Sequence, residues 1–315
     1  MKRKILFIDN THQLLIDKLK LAGFQCDYFP DYAINDYEKI IPSYFGVIIR
    51  SKIQMNKEII DKAVKLRFIG RVGAGMESID VKYAETKNIL CLNSPEGNRD
   101  AVGEHALGML LCLFNKLNVA DLQMRKGVRN REGNRGVEIK GKTIGIIGFG
   151  NMGSAFAQRL KGFEANVIAY DKYKSGFGNE YVTEVSLEDI FSDSDILSFH
   201  VPLTDETNYM LNEAFIKRFK KNFYLINTSR GQVVKTDDLV KSLKSGKIKG
   251  CCLDVLEYEK FSFEETTTDQ IPKAFQYLIS ADNVLLSPHV AGWTEESKYK
   301  LAEILADKII DKFCS

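Results

Sequence analysis

Through the first third of the chain, short apolar runs alternate with stretches whose apolar positions recur at helical spacing. The runs at 4–9, 24–29, 46–51, 67–72 and 89–93 predict strands, and the spacing within 12–22 and 56–64 predicts helices. Alternation of this kind predicts a parallel sheet with helices on its faces. The turn after the first run, Asn10-Thr11-His12, carries no glycine cluster, so this part reads as a nucleotide-type fold without a phosphate loop. Apolar residues then recur at 102, 106, 109, 110, 113 and 117, which predicts one face of a long helix over 98–117 that leads into a second domain. The polar, basic stretch 125–141, with Gly127, Gly133 and Gly136, reads as a surface crossover.

A second series of strands is predicted at 143–148, 166–170, 195–199, 223–227, 248–254 and 284–287. A last amphipathic helix carries Leu301, Ile304, Leu305 and Ile309 on one side. Thr294 caps it, with Glu295 and Glu296 in its first turn. Its apolar side is expected to return to the first domain. The expected fold is α/β, with two Rossmann-like, doubly wound parallel-sheet domains and a cleft between them. The first, 1–97 completed by 291–315, is discontinuous and is expected to hold the substrate; the second, 98–290, is expected to hold a dinucleotide. The mostly polar stretch 257–272, with Thr266-Thr267-Thr268, is the expected mobile insertion.

The second assignment rests on Gly148-Phe149-Gly150-Asn151-Met152-Gly153, which follows a strand-like run and opens a helix-like one. Gly148 permits a tight turn, Gly150 lets backbone approach a pyrophosphate, and Gly153 lets helix pack on strand. The helix start offers unpaired N–H groups and partial positive charge to phosphates. Asp171, at the end of the next strand, suits the adenine ribose hydroxyls and repels a 2′-phosphate, so NAD is expected over NADP. Lys172 and Lys174 would soften that preference.

Composition removes several function classes. With 44 basic and 42 acidic residues the net charge is +2, and no basic stripe argues for nucleic acid. No apolar run reaches membrane-spanning length, and the opening Met1-Lys2-Arg3-Lys4-Ile5 leads straight into a strand rather than a signal peptide. The six cysteines show no CxxC and no metal spacing, so reduced, buried thiols in a cytoplasmic protein without a metal are expected.

Three segments at strand ends carry chemistry: Asn227-Thr228-Ser229-Arg230-Gly231, the stretch from Leu253-Asp254 to Glu257-Tyr258-Glu259, and Ser287-Pro288-His289-Val290-Ala291-Gly292. Ligands of open parallel sheets bind beyond the carboxyl ends of strands. An arginine, an acid and a histidine there suit hydride transfer with a 2-hydroxy acid. Together with Arg71-Val72-Gly73-Ala74-Gly75, Asn93-Ser94-Pro95-Glu96-Gly97-Asn98, the glycine loop and His200-Val201-Pro202, these segments resemble the D-isomer-specific 2-hydroxyacid dehydrogenase family over nearly the whole chain.

The resemblance implies that Arg230, Glu259 and His289 are catalytic. Histidine exchanges the hydroxyl proton, the carboxylate orients it, and arginine holds the substrate carboxylate and polarises the carbonyl. Glu257 is a rival for the acid, since Lys260 follows Glu259 where the family usually has proline. The resemblance further implies cofactor contacts from His200, Val201, Pro202, Thr228, Ser229, Asp254 and Gly292. Asn151-Met152 departs from the commoner Arg-Ile pair, which leaves backbone contact at that point. His12 and His105 read as structural.

The turn Gly73-Ala74-Gly75 is implied to receive the substrate carboxylate, with Arg50, Ser51 and Arg71 bordering the same cleft. Within the family the nearest likeness is to the branch that acts on 3-phosphoglycerate and 3-phosphohydroxypyruvate in serine biosynthesis, without the C-terminal regulatory domain of its longer members. Arg50, Arg71 and Arg131 would then meet a phosphate. The alternatives are reduction of glyoxylate, hydroxypyruvate or another 2-keto acid, and an NAD-sensing corepressor. A homodimer is implied, with the 98–117 helix and the 125–141 crossover as contact segments.

Overall fold

The computed structural model describes residues 3–259 and 271–314, so most of the stretch 257–272 expected to be an insertion lies outside the described residues. The chain divides into two compact units, Met1–Arg99 with Trp293–Ser315, and Asp100–Gly292.

In the first unit, β1 (Lys4–Phe7), β2 (Gln25–Tyr28), β3 (Gly46–Ile49), β4 (Phe68–Arg71) and β5 (Leu90–Asn93) form an all-parallel sheet ordered β2-β1-β3-β4-β5. Its central strands are covered on both faces, which is why they read as unbroken apolar runs. Successive residues point to opposite faces. Ile5, Phe7, Ile48 and Phe68 pack on one side and Leu6, Val47, Ile49 and Ile69 on the other. The last helix, Glu295–Phe313, lies on the first of these faces. Thr294 caps it by accepting from the Ser297 N–H at 3.1 Å, and Ala302, Leu305, Ala306 and Ile309 form its fully buried stripe. Leu301 and Ile304, expected in that stripe, are only half-buried. The helix lies so close to the 95–97 turn that a Cβ on Gly97 would stand 2.6 Å from the Leu301 nitrogen. Small residues therefore take the centre of the contact.

In the second unit, the described residues form seven parallel strands: β6 (Thr143–Ile147), β7 (Asn166–Tyr170), β8 (Thr183–Glu184), β9 (Ile196–Phe199), β10 (Phe223–Asn227), β11 (Ile248–Leu253) and β12 (Val284–Leu286). Their order is β12-β11-β10-β9-β6-β7-β8. Chain progression reverses at β6, which lies between β7 and β9, and ligand crevices of such sheets open at that point. The exposed two-residue edge strand β8 left no apolar signature in the sequence.

The helix expected over 98–117 ends earlier, at Phe114. Lys116 adopts a left-handed φ of 51°, and Leu117 begins a separate helix, Leu117–Arg125, with its side chain 55 % exposed. The periodicity at 102–113 reflects burial, and Leu117 falls outside it. Cys251 and Cys252 are buried in β11, but Cys314 is exposed, against the expectation of buried thiols. Burial pushes the Cys26 and Cys91 thiols up to about 11. Among the described residues no helix is long and apolar enough to cross a membrane.

Candidate active site

The glycine loop leaves β6 through Gly148, whose φ of +92° few other residues would adopt. A Cβ on Gly153 would stand 2.0 Å from the Gly148 carbonyl oxygen, so only glycine lets the helix Asn151–Arg159 start this close to the strand. Gly150 is the N-cap, makes no side-chain cap, and has no atom within 4 Å of where a Cβ would be. The first N–H groups of the helix, those of Asn151, Met152 and Gly153, have no intrahelical acceptor, which suits backbone contact with a pyrophosphate.

Asp171 accepts from the Phe149 N–H at 2.7 Å on one oxygen and from the Tyr173 and Lys174 N–H groups at 2.9 and 3.1 Å on the other. A carboxylate has about four lone-pair sites, so it retains capacity for a ribose hydroxyl. Lys172 turns to Glu206 at 2.6 Å, which diverts the cation expected to soften the NAD preference.

Beyond β9 and β10, His200 and Thr228 leave adjacent strands side by side, following the Phe199–Asn227 pair. Burial pushes the His200 imidazole down to about 3, so it is neutral. Its Nε2 pairs with Ser198 Oγ at 2.9 Å, whereas its Nδ1 and the Thr228 hydroxyl are buried with no hydrogen-bond partner among the described residues. Such orphaned groups fit a site that takes a polar cofactor. In the same loop Thr207 Oγ1 donates to the Pro202 carbonyl at 2.6 Å, fixing Val201-Pro202 over the turn.

The strands β10, β11 and β12 bring the catalytic candidates together. Buried Asn227 clamps the first loop: its Oδ1 accepts from the Ser229 N–H and hydroxyl at 3.1 and 2.7 Å, and its Nδ2 donates to the Arg230 carbonyl at 2.9 Å. A Cβ on Gly231 would be 1.9 Å from the Leu256 carbonyl oxygen. The Arg230 loop therefore lies directly against the backbone that leads to Glu259.

Glu257 and Glu259 separate by contact. Glu257 accepts from the Tyr209 hydroxyl at 2.8 Å and the Thr236 N–H at 2.9 Å, which ties two loops together. Glu259 accepts from the Leu256 N–H at 3.2 Å with one oxygen and meets His289 Nδ1 at 3.1 Å with the other. That hydrogen bond and the Glu259 charge raise the His289 pKa above its ordinary value, against burial and the nearby Arg230 cation. The imidazole is 42 % exposed, and among the described residues no hydrogen bond takes its Nε2.

His289 itself has a left-handed φ of 54°. Buried Asp254 holds that turn. Its carbonyl accepts from the His289 N–H at 2.7 Å, and its carboxylate accepts from the Val290 and Ala291 N–H groups at 2.9 Å each and from Ser287 Oγ at 2.6 Å. His105 Nε2 lies 3.0 Å from Ser287 Oγ and 3.5 Å from the carboxylate. Burial alone would raise the Asp254 carboxyl, but these hydrogen bonds outweigh it and hold it below the usual range. His105, read as structural from its helix position, belongs to this network. Asp254, Glu259, Phe275, Ser287 and His289 line a cavity of about 210 Å³. Gly292 ends the unit just beyond this loop.

In the first unit, Arg50 and Arg71 leave the carboxyl ends of the adjacent strands β3 and β4, with exposed Ser51 beside Arg50. Arg71 donates to the Val72 carbonyl at 3.2 Å. The Gly73-Ala74-Gly75 turn is fastened by the Ser94 N–H on the Gly73 carbonyl at 3.0 Å and by Asn93 Nδ2 on the Ala74 carbonyl at 2.6 Å. Arg131 lies apart, in an exposed turn of the second unit, and among the described residues no contact joins it to the catalytic candidates.

Residues 107–291 match the family model for the D-isomer specific 2-hydroxyacid dehydrogenase NAD binding domain. The chain belongs to this family. Similar relatives include a D-3-phosphoglycerate dehydrogenase of Archaeoglobus fulgidus, 30 % identical over 98 % of this chain, of which the chain spans 57 %. A hydroxypyruvate reductase of Thermotoga maritima is 34 % identical over 87 % of each chain. A D-lactate dehydrogenase from Aquifex aeolicus, solved with NAD and lactic acid, superposes with a TM-score of 0.82 at 27 % identity, over 99 % of this chain and 95 % of that one. This D-2-hydroxyacid dehydrogenase family member thus carries an NAD-binding domain of the family's fold.

Proposed function

We propose that the protein is an NAD-dependent dehydrogenase interconverting a D-2-hydroxy acid and its 2-keto acid, with 3-phosphoglycerate and 3-phosphohydroxypyruvate as the pair. The observation that carries the reaction type is the His289–Glu259 pair beside Arg230, on loops of the sheet that also bears the glycine loop. NAD, held by the 148–153 loop, Asp171 and the His200 and Thr228 turns, supplies the hydride acceptor or donor. In oxidation, His289 Nε2 takes the hydroxyl proton as the C2–O bond becomes a carbonyl; in reduction, the protonated imidazole returns it. Glu259 holds Nδ1 protonated and offsets the imidazolium charge. Arg230 presents paired donors to the substrate carboxylate and carbonyl.

The preference for a phosphorylated acid rests on the cations beyond Arg230. The Gly73–Gly75 backbone suits the carboxylate, and Arg50 and Arg71 are assigned to the phosphate, with Arg131 assigned to it from the second copy of the homodimer. Charge-assisted bonds of this kind contribute about 1.5–3 kcal/mol each. Likeness to the Thermotoga hydroxypyruvate reductase, covering most of both chains, favours the second reading of an unphosphorylated keto acid. NADH oxidation against phosphohydroxypyruvate, hydroxypyruvate and glyoxylate distinguishes them. The first reading expects the highest kcat/KM with the phosphorylated acid; a higher value for either other acid refutes it. Turnover of none of the three would leave another 2-keto acid or the NAD-sensing corepressor reading.

We read the protein as a cytoplasmic homodimer. The helix Leu117–Arg125 buries none of its residues and exposes Leu117, Leu122 and Met124 by more than half, which suits a second copy. Sedimentation as a monomer at micromolar concentration would refute the dimer.

A further inference from the structure

The chain's single tryptophan is Trp293, just beyond the Ser287–Gly292 segment. It is 66 % exposed. It directly precedes Thr294, whose capping bonds with Ser297 fix the start of the last helix. The Arg50 guanidinium carbon lies over its ring, 4.6 Å from the centroid.

Arg50 is built to hold a charge in one place. Its N–H donates to Asp9 Oδ2 at 2.5 Å and its carbonyl accepts from the Ser78 hydroxyl at 3.2 Å, so its backbone is fixed on both sides. Among the described residues no carboxylate pairs with its side chain, whereas Arg125, Arg135, Arg159 and Arg218 each have an acidic partner. The difference has a chemical consequence. A carboxylate would position the guanidinium but neutralise it and occupy its donors. An aromatic face positions the cation while leaving its charge and its N–H groups for another anion.

We propose that Trp293 is a positioning residue that holds Arg50 for the phosphate of a small phosphorylated acid, and so sets the preference for the phosphorylated over the unphosphorylated substrate. This rests on the phosphorylated-acid reading given above. Phenylalanine keeps an aromatic face at this position, and alanine removes it.

The test is kcat/KM with NADH for phosphohydroxypyruvate and for hydroxypyruvate, in the full chain and in Trp293→Ala, Trp293→Phe, Arg50→Ala and the Trp293→Ala/Arg50→Ala double variant. A cation–π contact at an exposed site supports a fall of about 2- to 5-fold in the phosphorylated-to-unphosphorylated ratio for Trp293→Ala. The fall should be carried by KM rather than kcat, and Trp293→Phe should restore most of it. In the Arg50→Ala background the tryptophan should no longer change the ratio. Equal losses for both substrates, or a loss that persists without Arg50, overturns the role of Trp293 and leaves the substrate reading intact. A wild-type protein without preference for the phosphorylated acid overturns both.

Discussion

Replacing Asp254 by asparagine tests how the fold shapes the catalytic loop. The carboxylate is 1 % exposed and accepts from Ser287 Oγ, the Val290 N–H and the Ala291 N–H, the last on Oδ2 and the other two on Oδ1. An amide keeps one acceptor and turns the other oxygen into a donor. With its oxygen toward Ser287 and Val290, its NH₂ faces the Ala291 N–H. With the opposite orientation, the two Oδ1 bonds are lost instead. One or two buried donors are left unmatched at about 1–3 kcal/mol each, and the lost charge weakens the bonds that remain. The expected destabilisation is roughly 2–5 kcal/mol, read from urea unfolding against wild type. The left-handed turn at His289 loses its support as well, so kcat should fall. Asp254 has a lowered folded pKa, so its contribution is full above the ordinary carboxylate value and disappears as pH falls through the lowered one. The gap between wild type and variant should therefore narrow in acid. A variant as stable as wild type at neutral pH, with unaltered kcat, would refute this account of the loop.

Glu259 raises the His289 pKa, so keto-acid reduction, which needs the imidazolium, should persist to higher pH than an ordinary histidine allows and fail as pH rises through the raised value. Glu259→Gln should move that limb of the pH–rate profile to lower pH; Glu257→Gln should instead lower stability, through the Tyr209 and Thr236 bonds, and a profile shift in Glu257→Gln alone would reverse the assignment. Asp171→Ala should narrow the NADH-over-NADPH ratio of kcat/KM, and equal wild-type values for the two cofactors would contradict the role of Asp171.

Much of this architecture was legible because central parallel strands are buried on both faces and so appear as unbroken apolar runs. β6, β9 and β10 are of this kind. β8 is not, since two exposed residues at a sheet edge leave no pattern. Leu117 misled because spacing continues through a left-handed residue at Lys116 that carries no glycine to mark it. At the site, residue types, order and the family resemblance pointed to Arg230, Glu259 and His289, and the rival acid Glu257 meets Tyr209 and Thr236 rather than His289. His105 and Trp293 were illegible for a shared reason. Each acts through a partner far away in sequence, Asp254 in one case and Arg50 in the other, and no local spacing encodes such a contact.

The central claim is that His289, oriented by Glu259, exchanges the substrate proton. The most direct measurement is kcat for NADH-dependent keto-acid reduction by His289→Asn beside the Kd for NADH. Loss of a general acid should lower kcat by about 10²–10⁴-fold while NADH affinity stays at the wild-type value. Turnover near that of wild type would contradict the account.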